Sequence, residues 1–329
     1  MGRITRVILR SLIAIVGVVA AAVGLLVLAL QLGWARRHDA PEPQLHSTTD
    51  PDVVARGRYL VYGPAACAYC HRPKTDWPAL ARGEMPPLSG GHEFPLPFGA
   101  IFSSNLTADR DTGIGAASDG TIARVLRYGV RRDSRAAVPI MEFQNLSDED
   151  LVAVLSFLRT QPSVHQQPPP HRLTFFGRLL LGVLMTPQGP TKPPPHASPS
   201  GATVERGEYL ANDVAACVSC HTDRQRGAPV GPRFAGGQRM DFAGDTTRVL
   251  VPPNLTPDAA TGRIASWSED VFVVRFHSGS SSIPETIMPW GAYARMTDDD
   301  LRAIYRYLRS LPPTRRDTGP SVQLRRIGT

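Results

Sequence analysis

The order of apolar and polar positions divides this chain before any motif is considered. Ser11 to Leu30 is a run of 20 residues without a charge. At about 1.5 Å rise per residue, a helix of that length matches a hydrocarbon core of about 30 Å. Arg3, Arg6 and Arg10 precede the run, so the positive-inside rule keeps the short N-terminus cytoplasmic and exports the rest, an asymmetry that Arg36 and Arg37 weaken. A cleaved signal peptide is the alternative. Its apolar region usually covers about 7 to 15 residues and ends at a small-x-small site, which "QLGWARR" does not offer. An uncleaved anchor is expected.

Two later segments carry the helical period. Leu151, Val154, Leu155 and Leu158 recur at i, i+3, i+4, i+7, as do Leu301, Ile304, Tyr305 and Leu308. Ser147 and Thr297 are N-cap types ahead of acidic first turns, and Pro162 and Pro312 stop the helices. Shorter helix candidates, 53–61 and 204–211, run into cysteine-bearing stretches. Nothing between them alternates like a sheet, so the expected class is mostly α with long loops, which are uncommon unless something organises them. Residues 161–202 hold ten prolines, the composition of an extended, semi-rigid linker. Within it, Leu173 to Met185 is apolar but, at 13 residues, too short to span a bilayer. It is expected to pack against the domains, with interfacial membrane contact as the alternative. The polar, basic tail after Pro313 reads as a wrap or as disorder.

The same features occur twice. "RGRYLVYGPAACAYCH" from Arg56 and "RGEYLANDVAACVSCH" from Arg206 match at nine of sixteen positions, offset by 150. "NLTADRDTGIG" from Asn105 pairs with "NLTPDAATGRI" from Asn254, and "SDEDLVAVLSFLRTQP" from Ser147 with "TDDDLRAIYRYLRSLP" from Thr297. A chain of 329 residues suits two domains of about 100 to 150 residues plus tails. The division is an anchor and short linker over 1–49, a first domain over 50–162, a Pro-rich linker over 163–202, a second domain over 203–313 and a basic tail over 314–329. Net charge changes this picture little. The total is +7, yet residues 50–160 hold 12 basic against 13 acidic side chains and 203–311 the same. The excess lies in the ends and linker, which argues against a nucleic-acid-binding face.

The chain has four cysteines, Cys67, Cys70, Cys217 and Cys220, all in C-x-x-C-H motifs. A redox dithiol, half a zinc site and a covalent haem anchor share the C-x-x-C spacing, and only the last requires His at the next position. The thiols can each add to one vinyl group along the porphyrin edge while the adjacent His is held over the iron. A zinc pair would want its partner about 15 to 20 residues away, whereas these motifs are 150 apart. Two covalently bound haem c groups are expected, with no catalytic residue assigned. A sixth ligand to iron is often Met where a raised potential is wanted. Met288 lies 67 residues after His221 and Met141 70 after His71, each shortly before the closing helix. The expected iron ligands are therefore His71, Met141, His221 and Met288. Met85, Met240, Met296, His92 and His277 read as structural.

The order RGxYL, C-x-x-C-H, a "P-x-[LF]-x-G-G" loop (Pro86 to Gly91, Pro232 to Gly237), NLT, a TG turn, Met and a final "DL…YLRSLP" resembles tandem class I cytochrome c domains. More narrowly, it is similar to the cytochrome c subunits of periplasmic alcohol, gluconate and aldehyde dehydrogenases. The resemblance covers about residues 50–162 and 203–313. It implies thioethers at the four cysteines, proximal bonds from His71 and His221, distal bonds from Met141 and Met288, and first and last helices that cross beside each haem. It implies a membrane-anchored dihaem cytochrome on the periplasmic side of a bacterial inner membrane. The expected donor is a dehydrogenase or other redox protein, and the acceptor an oxidase, a soluble cytochrome or a quinone-linked site. Several such subunits carry three haem domains, whereas this chain has two. The competing expectation is a dihaem enzyme of the peroxidase or thiosulfate-oxidising type with one open iron, a reading that the loop after Met141, three residues shorter than its counterpart, favours.

Overall fold

Each half of the molecule is organised by a crossing of two helices that leaves no room for a side chain on one of them. In the computed structural model, which describes the chain apart from residues 1, 34–35, 74–83, 226–227, 243–244, 280–282, 284–285 and 326–329, helix α2 (Pro51–Tyr62) packs across α5 (Asp148–Arg159). Likewise α7 (Val204–Tyr209), continued by a π turn over Leu210–Val214, packs across α11 (Asp298–Ser310). A Cβ on Gly57 would run into the Ala153 carbonyl, and one on Gly207 into that of Ala303. The glycine of each RGxYL motif therefore lets two backbones touch. Around the crossings lie Leu60, Val61, Leu151, Leu155 and Leu158 in one half and Leu210, Leu301, Ile304 and Leu308 in the other, all buried.

Capping explains where these helices begin. Ser147 and Thr297 accept from the backbone N–H groups of Asp150 and Asp300, as their positions predict. Helix α2 starts earlier than expected because Asp50 caps it and Pro51 occupies its first position. Two further helices, α4 (Asp119–Tyr128) and α9 (Glu269–His277), fall in stretches read as loop. Ser118 and Ser268, 150 residues apart, cap them, and α4 ends on Gly129 at φ +63°.

The expectation that no sheet is present is corrected by three small ones. A hairpin of β1 (Glu93–Leu96) and β2 (Gly99–Phe102) takes β3 (Arg172–Leu173) onto its β2 edge. The counterpart pairs β6 (Met240–Phe242) with β7 (Asp245–Leu250), and β7 with β8 (Val322–Leu324). A two-stranded ribbon joins β4 (Arg224–Gln225) to β5 (Ala228–Pro229). These strands are too short for alternation to register. Two of them, β3 and β8, come from the linker and the tail, which therefore fold back onto their own halves. The NLT asparagines hold both returns: Asn105 Nδ2 donates to the carbonyls of Val164 (2.9 Å) and Gln166 (3.2 Å), and Asn254 Nδ2 to those of Thr314 (2.8 Å) and Arg316 (3.4 Å).

Helix α1 (Arg3–Gly33) is long and apolar enough to cross a membrane, and its apolar side chains are largely exposed. Among the described residues its half-buried positions, Val27, Leu30 and Gly33, lie near its C-terminal end. Helix α6 (Phe175–Leu184), the apolar segment of the linker, packs along it. The segment thus docks on α1, touching the first half where Gly177 meets Phe98 of the β1–β2 hairpin.

Candidate haem-binding sites

Two single-turn helices, α3 (Cys67–His71) and α8 (Cys217–His221), carry the C-x-x-C-H residues. Each is entered through an alanine in the left-handed region, Ala66 and Ala216, both at φ +48°. That conformation is uncommon for a residue with a Cβ, and its recurrence shows the same tight entry built twice. One helical turn then puts each pair of cysteines on a common face. All four thiols are free and half-buried. Burial pushes Cys67 and Cys217 up to about 12, with the neighbouring cysteine adding to the shift. Among the described residues no group of three or more His, Cys, Asp or Glu side chains assembles that could hold a metal ion by itself.

The histidines are oriented by backbone carbonyls. His71 Nδ1 lies 2.8 Å from the Ser104 oxygen and His221 Nδ1 2.9 Å from the Pro253 oxygen. A carbonyl only accepts, so Nδ1 carries the proton and Nε2 keeps a free lone pair. Burial lowers both histidine pKa values, opposed by these hydrogen bonds, and so keeps the rings neutral. The "P-x-[LF]-x-G-G" loops make the contact possible. Gly90 and Gly236 donate to the His71 and His221 carbonyls at 2.8 Å. At φ +72° and +69°, they lie so close to the peptides of Ser104 and Pro253 that an added Cβ would approach them to 2.5 Å.

Met141 lines a small cavity with Val125, Leu126, Val138 and Pro139. Met288 is half-buried against the core, its carbonyl accepting from Trp290 N–H at 2.8 Å at the start of α10 (Trp290–Tyr293). Of the residues read as structural, Met296 is buried in the core, Met85 Sδ lies 3.6 Å from Arg58, and His92 Nδ1 lies 3.2 Å from Arg72. His277 bridges the Ala294 carbonyl (3.0 Å) and Asp298 (2.8 Å), and Met240 belongs to β6.

The structure also contains a feature that the sequence reading missed: the two halves interlock reciprocally. Within the first half Arg56 forks onto Asp150 (2.9 and 3.1 Å), and within the second Arg206 onto Asp300 (2.8 and 3.0 Å). Each aspartate is then reached from the opposite half, by Tyr59 Oη donating to Asp300 (2.6 Å) and Tyr209 Oη donating to Asp150 (2.8 Å). The N–H groups of Thr297 and Ser147 donate in turn to Tyr59 and Tyr209. Burial and the facing aspartate push both phenols well above their ordinary range, so they stay protonated as donors. Nearer the cysteine helices the reciprocity continues. Tyr69, inside the first C-x-x-C, accepts from Gly291 N–H at 3.1 Å, three residues after Met288. Ser219, its counterpart inside the second, donates to Glu142, the residue after Met141. Each cysteine helix thereby abuts the methionine-bearing loop of the other half.

Comparison with known proteins agrees with this chemistry. Residues 204–312 match the family described as cytochrome c. That segment is a cytochrome c domain. The family implies covalently bound haem c, and the free cysteine pair, the neutral His221 and its buried setting fit such a group. The chain is similar to the cytochrome c subunit of the quinone alcohol dehydrogenase of Gluconobacter oxydans, 32% identical over 306 residues that cover 89% of this chain and 59% of the relative. It is 27% identical over 314 residues to the fructose dehydrogenase cytochrome subunit of Gluconobacter japonicus, covering 92% of this chain and 61% of that subunit. To a diheme cytochrome c-type protein of Cereibacter sphaeroides it is 27% identical over 300 residues, 85% of this chain and 92% of the relative. The chain thus spans about three fifths of the two dehydrogenase subunits. The similarity is to cytochrome subunits of dehydrogenases, in accord with an electron-transfer role.

Proposed function

We propose that this protein is a membrane-anchored dihaem c-type cytochrome that passes electrons on the periplasmic side of the inner membrane, from a dehydrogenase toward the respiratory chain. The observation that carries the reading is the duplicated histidine geometry, in which each C-x-x-C-H helix presents a neutral imidazole locked through Nδ1 to a backbone carbonyl. When bound, haem c supplies an iron that changes charge by one electron without binding substrate. The chain's residues do the rest. Cys67 with Cys70, and Cys217 with Cys220, would hold the porphyrin covalently, His71 and His221 would ligate the iron, and Met141 and Met288 would serve as further ligands that raise its potential. The carbonyls of Ser104 and Pro253 set the ring orientations. Tyr69 with Gly291, and Ser219 with Glu142, link the two sites through short hydrogen-bonded connections, which supports transfer between halves as well as to outside partners. Relatives named as cytochrome subunits of alcohol and fructose dehydrogenases support a dehydrogenase as donor, and α1 supports an acceptor at or near the membrane.

Intact-mass and alkaline pyridine spectra of the purified protein test this reading. The expected result is two covalent haems per chain, falling to one in a Cys217→Ser, Cys220→Ser variant. A single haem in the parent, or none, would overturn it.

A further inference from the structure

We propose that α6, the turn over residues 131–135 and the end of α1 form one lipid-docking face, which seats the first half on an anionic bilayer surface. The inference rests on the reading of α1 as a membrane anchor and adds a second, peripheral contact to it.

Helix α6 packs along α1, whose half-buried positions among the described residues are Val27, Leu30 and Gly33. Gly33 and Gly182 come so close that a Cβ on the former would lie 2.9 Å from the latter's carbonyl. Val27 and Leu30 belong to the apolar run, so a helix lying beside them sits at the boundary between hydrocarbon and headgroups. The surface of α6 suits that level. Phe175, Phe176 and Leu180 are 51%, 74% and 43% exposed, and Arg178 is its one charged residue. Aromatic and aliphatic side chains beside an arginine are the composition of an interfacial helix.

Positive charge from a different part of the chain meets the same level. The sequence from Arg131 to Arg135, "RRDSR", forms a tight turn closed by Arg131 N–H donating to the Arg135 carbonyl at 2.8 Å, with Ser134 at φ +63°. The Ser134 carbonyl accepts from His38 N–H at 2.7 Å, which ties the turn to the chain just beyond α1. A cavity there is lined by Gly33, Arg36, Arg131, Arg135, Leu181 and Met185. A lining that combines arginines with the apolar end of α6 matches a phosphate joined to an acyl chain. Asp133 lies 3.7 and 3.8 Å from Arg131 and Arg135 and offsets part of their charge.

The test uses the full-length holoprotein in nanodiscs of phosphatidylcholine with phosphatidylglycerol, doped with a diazirine-bearing form of one or the other, and maps lipid adducts by mass spectrometry. Adducts are expected on α1 and on Phe175 to Leu180, with the anionic phosphatidylglycerol preferred around the arginine turn. Arg131→Ala with Arg135→Ala should reduce that preference roughly tenfold and leave the haem spectrum unchanged. Adducts on α1 with none on α6 would overturn the docking face while leaving the anchor. Equal labelling by both lipids, indifferent to the arginine changes, would overturn the anionic character of the face. Labelling of neither helix would overturn the anchor reading and the inference together.

Discussion

The two C-x-x-C-H motifs could be read directly because their chemistry is local: four cysteines and two histidines adjacent in sequence. What orients those histidines could not. Their acceptors are main-chain oxygens of Ser104 and Pro253, 33 and 32 residues away, and a carbonyl contributed by the backbone leaves no trace in side-chain identity. The glycine pairs of the following loops were the available signal, since only glycine allows that approach. Single side chains also set a pH dependence. Asp109 accepts from the N–H (2.7 Å) and hydroxyl (2.8 Å) of Thr112, which holds its carboxyl down at about 2, against an ordinary 3.8. A depressed carboxylate stabilises the fold fully above its unfolded value, and that contribution is lost as pH falls through the folded one. Asp109→Ala is therefore expected to lower the melting temperature at neutral pH, with the gap to the parent narrowing between about pH 4 and pH 2. Asp258, which makes the same contacts to Thr261 and is likewise depressed, should respond in the same way. Melting curves across that range check both.

Helices were legible in proportion to their amphipathic regularity. The closing helices α5 and α11 show period and cap together, and both were placed by the sequence. Helix α9 is not legible in this way, since its "EDVFVVRFH" has apolar residues on several faces, and α4 is marked only by the Ser118 and Gly129 that bracket it. Strands of two to six residues are below the length at which alternation separates from chance. The crossings α2–α5 and α7–α11 give the sharpest prediction about these elements. Gly57→Ala and Gly207→Ala each force a methyl group against a carbonyl, and overpacking of this kind costs about 3 kcal/mol. Denaturant titration of each variant checks the value. A change of less than about 0.5 kcal/mol, the range of ordinary surface substitutions, would mean that the helices do not touch there.

The interlock belongs to the whole molecule and is invisible in the sequence, because nothing in "RGxYL" tells that its tyrosine reaches an aspartate of the other half. The contacts are reciprocal in the manner of an isologous dimer interface, with each half contributing the same patch. Tyr59→Phe or Tyr209→Phe removes one hydrogen bond to a charged aspartate, an interaction contributing about 2 kcal/mol, while the arginine fork remains. Calorimetry of the parent is expected to show one cooperative transition, and the double variant two, as the halves uncouple. The account's central claim is that both sites hold six-coordinate haem with histidine and methionine ligands. An optical and EPR redox titration of the purified protein, beside Met141→Ala and Met288→Ala, tests it most directly. Two low-spin haems in the parent, each turned high-spin or lowered in potential by its own substitution alone, is the predicted result. A high-spin haem already present in the parent and indifferent to Met141→Ala would contradict it, and would make the first site an open iron.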